Sequence, residues 1–484
     1  MYRAPSKRQQ LIKRVFVYGV MTSTVLLLVT LLVFVMLGYR FNQTTSTIEQ
    51  GGLVQFNSRP SGAKITVGSA RLSAQTPSKI TVNPGSYTVT MQKDGYHTWS
   101  KLSDVTAGQV LWLNYAQLVP ENISTETIKT FDELDGAIVS PNSEQYALLS
   151  DANEPVVSFL DITSDQPKLT TVPLLSAAEA DNAPAATYKL LLWSSDSNKL
   201  LLTTKVGNST EWILVDRRDS TKTINISKQF SSTIIEAQFD PRSSDRLVVR
   251  TKNGELRMID TARNTLSGVM ARSVTGMSLY KSDAILVVQK ISDSAQQVGY
   301  VSYGSSTVRQ LQDVEGNDQV KVAGATYFGD PYIAITVGAD LQVSQIRTLP
   351  SSESDTPISM TKVFNTTLPA TPKYLSIRTN GRFVLAEYLS GVATYDIELK
   401  KQSQTSFKKP VSTELRWLDK YHFYVTNGTT LDLLEFDGGN PHAIIKTTLL
   451  FDAVSRQDGK YIYSFATTTD DSVVLQRSQM ILDN

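Results

Sequence analysis

The chain has 484 residues, a net charge of +1 and no cysteine. Its 47 basic and 46 acidic residues leave no basic excess for a nucleic-acid partner, and the lack of cysteine removes disulfides, zinc thiolates and cysteine nucleophiles together. Hydrophobic residues make up 41% and charged residues 19%, enough apolar material for packed cores. A prior of about 150 residues per domain predicts two or three domains.

Residues 1–14 read as a cytoplasmic tail and residues 15–39 as a transmembrane helix. Val15–Tyr39 (VFVYGVMTSTVLLLVTLLVFVMLGY) carries no charge. At about 1.5 Å per residue it reaches across a hydrocarbon core of about 30 Å, and a helix satisfies its own backbone in lipid. Arg3, Lys7, Arg8, Lys13 and Arg14 precede the run, whereas only Arg40 follows closely before Arg59. That asymmetry keeps the N-terminus in the cytoplasm and sends the chain beyond residue 40 outside. Tyr18 and Tyr39 sit near the two ends, where amphipathic rings favour the interface. The run exceeds a signal-peptide core of about 7–15 residues, and Gly38-Tyr39-Arg40 is a poor cleavage site, so an uncleaved anchor in the bilayer is expected. Residues 40–52, polar and rich in Thr and Ser, are expected to be a linker.

Residues 53–119 alternate with period two. Leu53–Phe56, Lys64–Val67, Ser86–Met91 and Gln109–Asn114 read as strands, separated by turns at Ser58–Ala63, Thr76-Pro77, Asn83-Pro84-Gly85 and Lys93–Tyr96. The ordered set Pro60-Ser61-Gly62-Ala63-Lys64-Ile65-Thr66-Val67, Thr76-Pro77, Pro84-Gly85-Ser86-Tyr87-Thr88-Val89, Lys93-Asp94-Gly95-Tyr96 and Trp99 resembles the PEGA domain, a small bacterial β-sandwich. Ser61 stands where the family has its namesake Glu, and Gly68-Ser69 replaces the usual Asp-Gly. The resemblance implies an envelope-associated interaction or spacer module without catalytic residues. Trp99, Trp112 and Tyr115 are expected to fill or cap its core rather than to stack on a ligand.

From residue 120 to 484 a polar turn followed by a short apolar strand recurs eight times. The turns begin at Pro141, Ser195, Pro241, Lys281, Gly329, Asn380, Asp419 and Gln457, roughly 38–54 residues apart. A second strand ends in Asp161, Asp216, Asp260, Asp396 or Asp437 in five of the units, and a polar strand such as Lys222–Ile226 follows. Such a unit is a four-stranded blade, which buries its faces only against neighbouring blades around an axis. The units resemble WD-like and TolB-like β-propeller repeats, the one at Ser455–Tyr461 most. The last unit lacks a fourth strand, and residues 122–131 are expected to supply it. The count is eight blades, or seven if residues 279–312 are an insertion. The expected fold class is therefore all-β apart from one N-terminal transmembrane helix: a small sandwich plus a seven- or eight-bladed propeller.

No catalytic, cofactor or metal motif is found. The histidines are His97, His422 and His442, with no His-x-x-x-His or His-Glu pair. Nucleophile elbow, Walker loop and dinucleotide fingerprint are absent. Asp132, Glu133 and Asp135, like Asp470 and Asp471, could act as acid/base pairs, but Asp after a strand is more often a turn-former. Asp437-Gly438-Gly439-Asn440 is too short for a calcium loop and reads as a hairpin turn. The expected function is a membrane-anchored extracytoplasmic binding or scaffold protein, not an enzyme, with no cofactor and with a protein, glycan or cell-envelope polymer as partner; the alternative is an ectoenzyme with an axial active site.

Overall fold

The computed structural model describes residues 7–36, 38–42, 47–174, 186–280, 283–378, 380–407, 415–426, 428–447, 449–456 and 458–482. Parts of the expected tail, span and linker (residues 1–6, 37 and 43–46) and of the turns at 281–282 and 457 lie outside the described residues. Two compact units emerge: Met1–Asn122 with Ile481–Asn484, and Ile123–Met480.

The first unit opens with the helix Lys7–Met36, longer at its start and shorter at its end than the expected Val15–Tyr39. Its first turns, KRQQLIKR, contain good helix formers and neither Gly nor Pro. Gly38 adopts φ +80°, a left-handed conformation that ends helices. Leu11–Met36 has a mean hydropathy of 2.4 and is wholly unburied, so it is long and apolar enough to cross a membrane. Its threonines are satisfied internally: the Thr24 and Thr30 hydroxyls donate to the carbonyls of Val20 and Leu26 at 2.9 and 2.8 Å. The expected linker contains a hairpin instead, Tyr39–Asn42 paired with Thr47–Gln50. β-Branched and aromatic residues favour strands there, and the Tyr39 ring packs edge-on against Phe34 at 5.1 Å.

A sandwich follows. One sheet orders Ser78–Val82, Gly52–Arg59 and Val110–Gln117, the last pair parallel; the other orders Ala70–Gln75, Lys64–Val67, Gly85–Gln92 and Trp99–Val105. Alternation sends Val54, Phe56, Ile65, Val67, Val89, Met91 and Leu113 into one core with Trp99. The Leu482 N–H donates to the Tyr96 hydroxyl at 2.7 Å, joining the C-terminal residues to this unit.

The second unit is a ring of eight four-stranded antiparallel sheets. Blades 1–7 begin with the strands Gly136–Val139, Ala186–Trp193, Ile234–Asp240, Val274–Tyr280, Val320–Tyr327, Tyr374–Ile377 and Arg416–Trp417. Blade 8 comprises Val454–Ser455, Tyr461–Thr467, Val473–Gln479 and, as its outer strand, Thr125–Phe131. The N-terminal strand therefore closes the ring, within the expected segment 122–131. Residues 279–312 are no insertion, because they build blade 4. Second and third strands are covered on both faces: Gln145–Leu149, Phe383–Tyr388 and Gly391–Asp396 are buried throughout, whereas the outer strand Lys401–Ser406 is mostly exposed. Aromatic rings link successive blades: Phe159 with Trp193 at 5.4 Å, Phe364 with Tyr395 at 4.1 Å, Phe383 with Phe436 at 4.3 Å and Tyr146 with Phe465 at 5.1 Å.

The polar turns of blades 1 and 2 share one chemistry. The Ser140 and Ser194 hydroxyls accept the N–H groups of Gln145 and Lys199 at 3.0 and 2.9 Å, while Ser143 and Ser197 take positive φ. Neighbouring turns also bond around the ring: the Asn142 N–H donates to Ser197 Oγ at 3.1 Å and Ser244 Oγ to Asp196 at 3.0 Å. Two local expectations need correction. The fourth strand of blade 2 is only Ile224–Asn225, because Asn225 caps the helical turn Ile226–Gln229 and accepts the Lys228 N–H at 3.0 Å. In blade 7 the third strand ends at Glu435, and Asp437 lies in the turn beyond.

Candidate functional site on the propeller axis

The first strands of neighbouring blades approach one another while the outer strands diverge, so the first strands surround the axis. Two cavities open between them. The larger, about 600 Å³, is lined chiefly by the first strands of blades 3 to 6 and the turns leading into them, with Arg250, Val288 and Gln296 from inner strands of blades 3 and 4. Its wall is polar: Gln238, Thr275, Ser278, Asn317 and Tyr374 contribute to it, together with charged side chains. Arg250 Nη2 lies 2.8 Å from Glu236, whose other oxygen accepts from Gln238 at 3.4 Å. Lys321, half-buried in the same wall, has its pKa lowered by burial, with Glu236 opposing the shift.

The smaller cavity, about 330 Å³, lies against blades 7, 1 and 2 and the segment entering blade 8. Ile138, Leu190, Leu415, Leu450 and Phe451 make much of its wall apolar. Asp452 is buried at its edge, and burial raises its pKa against the pull of Arg416 and the Val139 N–H. Arg416 Nε lies 3.0 Å from one carboxylate oxygen, and the Val139 N–H donates to the other at 3.0 Å. Asp452 thus clasps blades 7, 8 and 1 together. Tyr424, also in this wall, is buried, and desolvation raises its hydroxyl pKa.

The residues singled out from the sequence do not converge on the axis, with one exception. Asp135 borders the smaller cavity, but its carboxylate accepts the Ala152 N–H at 2.7 Å and so ties the entry to blade 1 to the turn after that blade's second strand. Asp132 and Glu133 are exposed beside it. Asp470 and Asp471 are exposed at the tip of a blade 8 hairpin, where Asp471 has φ +64°. Asp437 accepts the Gly439 N–H at 3.1 Å in a hairpin turn. His97 is exposed on the sandwich, His442 is half-buried in blade 7, and His422 is buried there with Nδ1 2.9 Å from Asp419. Among the described residues no three His, Cys, Asp or Glu side chains are grouped to hold a metal ion. Trp99 and Tyr115 meet edge to face at 6.2 Å inside the sandwich, whereas Trp112, expected like them to fill or cap the core, does not fill it and faces outward. The axial residues Glu236, Lys321, Arg416 and Asp452 were not singled out from the sequence. Only Asp452 carried a local signal, a carboxylate within the apolar run Leu449-Leu450-Phe451-Asp452-Ala453-Val454.

No curated protein matches the chain. Among solved structures, the C-terminal WD40 domain of Sif2 is similar with 10% identity over 73% of this chain and 97% of its own, at a TM-score of 0.48. The β-propeller domain of Cps50 (Swd1) from Myceliophteria thermophila has 12% identity over 74% and 99%, at 0.41. An oligogalacturonate lyase in complex with manganese has 10% identity over 74% and 98%, also at 0.41. Residues 52–121 match the family model of the PEGA domain, and the ring of blades that follows them is a β-propeller.

Proposed function

We propose that the chain is a single-span membrane protein with a cytoplasmic N-terminus, and that its PEGA domain and propeller form a binding unit on the outer side of the cell membrane. The axis best supports recognition of a hydroxyl-rich partner, a glycan or related cell-envelope polymer. The observation that carries this reading is the larger axial cavity. Its amide and hydroxyl side chains can exchange hydrogen bonds with sugar hydroxyls, Tyr374 adds an aromatic surface, and Glu236 is tied to Arg250. The alternative, an ectoenzyme, would centre on Asp452, a buried carboxyl with a raised pKa beside a cavity. The bonds of Asp452 to Val139 and Arg416 account for its burial as a clasp between blades, which favours the binding reading.

The test is retention of solubilised envelope fractions by the detergent-solubilised full chain. The wild type is expected to retain a glycan fraction, and the double variant Gln238→Ala, Lys321→Ala to bind it about tenfold more weakly, or about 1.4 kcal/mol. Retention of no fraction, or equal retention by both proteins, contradicts the axial site. Retention of a protein in place of a glycan would keep the binding role and replace the ligand class.

A further inference from the structure

Beyond the apolar helix, the pair Tyr39–Asn42 and Thr47–Gln50 is tied to the PEGA domain by backbone hydrogen bonds. The Gly51 N–H donates to the Gly38 carbonyl at 3.0 Å, the Gly108 N–H to Gly51 at 3.0 Å and the Leu53 N–H to Gln109 at 2.9 Å. The parallel strands Gly52–Arg59 and Val110–Gln117 both start at this joint and run away from it. Period-two alternation puts Val54 and Leu113 in the core, so their neighbours face outward. The pairing aligns two rows on that outer face. Leu53, Val110 and Thr81 form the row next to the joint, and Gln55, Trp112 and Lys79 form the row beyond it. Val110 and Trp112 are each 41% exposed, and Ile48, three residues before the joint, is 71% exposed.

We propose that the end of this outer face next to the joint is immersed in the membrane interface, with the Leu53–Val110 row against the upper acyl chains and Trp112 and Lys79 among the headgroups. The proposal rests on reading Leu11–Met36 as a membrane span. Three points favour lipid as the occupant. The face is continuous with the span through the hydrogen-bonded joint. Its two rows are about 7 Å apart, comparable with the polar layer on each side of a bilayer. Its chemistry also changes in the order of that layer, from aliphatic side chains to an indole and an ammonium, which favour the interface and the phosphates.

The full chain is reconstituted into phosphatidylcholine–phosphatidylglycerol vesicles containing lipid brominated near the top of the acyl chain, and tryptophan emission is compared with that in unbrominated vesicles. The span contains no tryptophan, so quenching reports on residues outside it. The wild type should be quenched; Trp112→Phe should lose at least half of that quenching, while Trp417→Phe, altered in blade 7, should retain it. Equal quenching in Trp112→Phe and wild type, or no quenching in a chain that floats with the vesicles, overturns the docking but leaves the anchor standing. A chain that does not float removes the anchor and the docking together. Thermal unfolding of Trp112→Phe checks that the exposed substitution leaves the fold intact.

Discussion

At the residue scale, the blades depend on a few buried polar groups. Arg382 and Asp396 are both buried, bonded through Nε at 3.0 Å and Nη2 at 2.7 Å, and Asp396 also accepts the Glu398 N–H at 2.9 Å. Burial lowers the guanidinium pKa, but Asp396 outweighs it and raises the balance. Removing Asp396 leaves the buried Arg382 guanidinium with Glu398 alone as its anionic partner, so Asp396→Ala should cost about 3 kcal/mol in urea unfolding; a loss below about 1 kcal/mol would contradict the buried pair. Asp196 makes a pH prediction. Burial would raise its pKa, but hydrogen bonds from Ser194, Asn198 and Ser244 hold it at about 2. The folded value lies below the unfolded value of about 3.9, so this stabilisation is present above that pH and is lost as pH falls through the folded value. Asp196 is exposed, and solvent screening limits its contribution to about 1 kcal/mol. Asp196→Asn should therefore flatten stability between about pH 4 and pH 2, as read by melting temperature across that range. An unchanged acid limb would contradict this.

At the element scale, ring closure is the feature most open to test. Thr125–Phe131 pairs with Val473–Gln479, and Phe131 is buried against Phe465 at 6.2 Å. Phe131→Ala should cost about 3–5 kcal/mol and raise hydrogen exchange in blade 8 above that in blade 4; uniform protection would mean that the outer strand does not close the ring. Much of this architecture was legible because turn chemistry is local: Ser140 and Asn142, or Ser194 and Asp196, accept backbone N–H groups within five residues. The closing strand was legible because blade 8 lacked one. The axial site was not legible. Glu236, Lys321 and Tyr374 lie on three different blades and meet only when the first strands converge, so no sequence spacing announces them. Alternation also left the outward face of Trp112 unread, because period two separates two faces without saying which one has a neighbour. The pairing of Tyr39–Asn42 with Thr47–Gln50 was missed because short polar stretches of this kind suit either a linker or a strand.

At the scale of the whole molecule, apolar residues are divided between two environments. Leu11–Met36 is uncovered along its length, whereas the apolar strands of the blades are buried against one another in successive cores. The chain builds this without a disulfide, through many interlocked sheets in place of cross-links. Any envelope ligand for the axis presupposes that the propeller faces the outside. The lack of native cysteine makes that directly measurable: Ser6→Cys and Ala262→Cys, the latter in an exposed blade 3 turn, each carry a single thiol. A membrane-impermeant maleimide applied to intact cells should label the Ala262→Cys chain at once and the Ser6→Cys chain only after permeabilisation. Labelling in the reverse order would place the propeller in the cytoplasm and contradict the account.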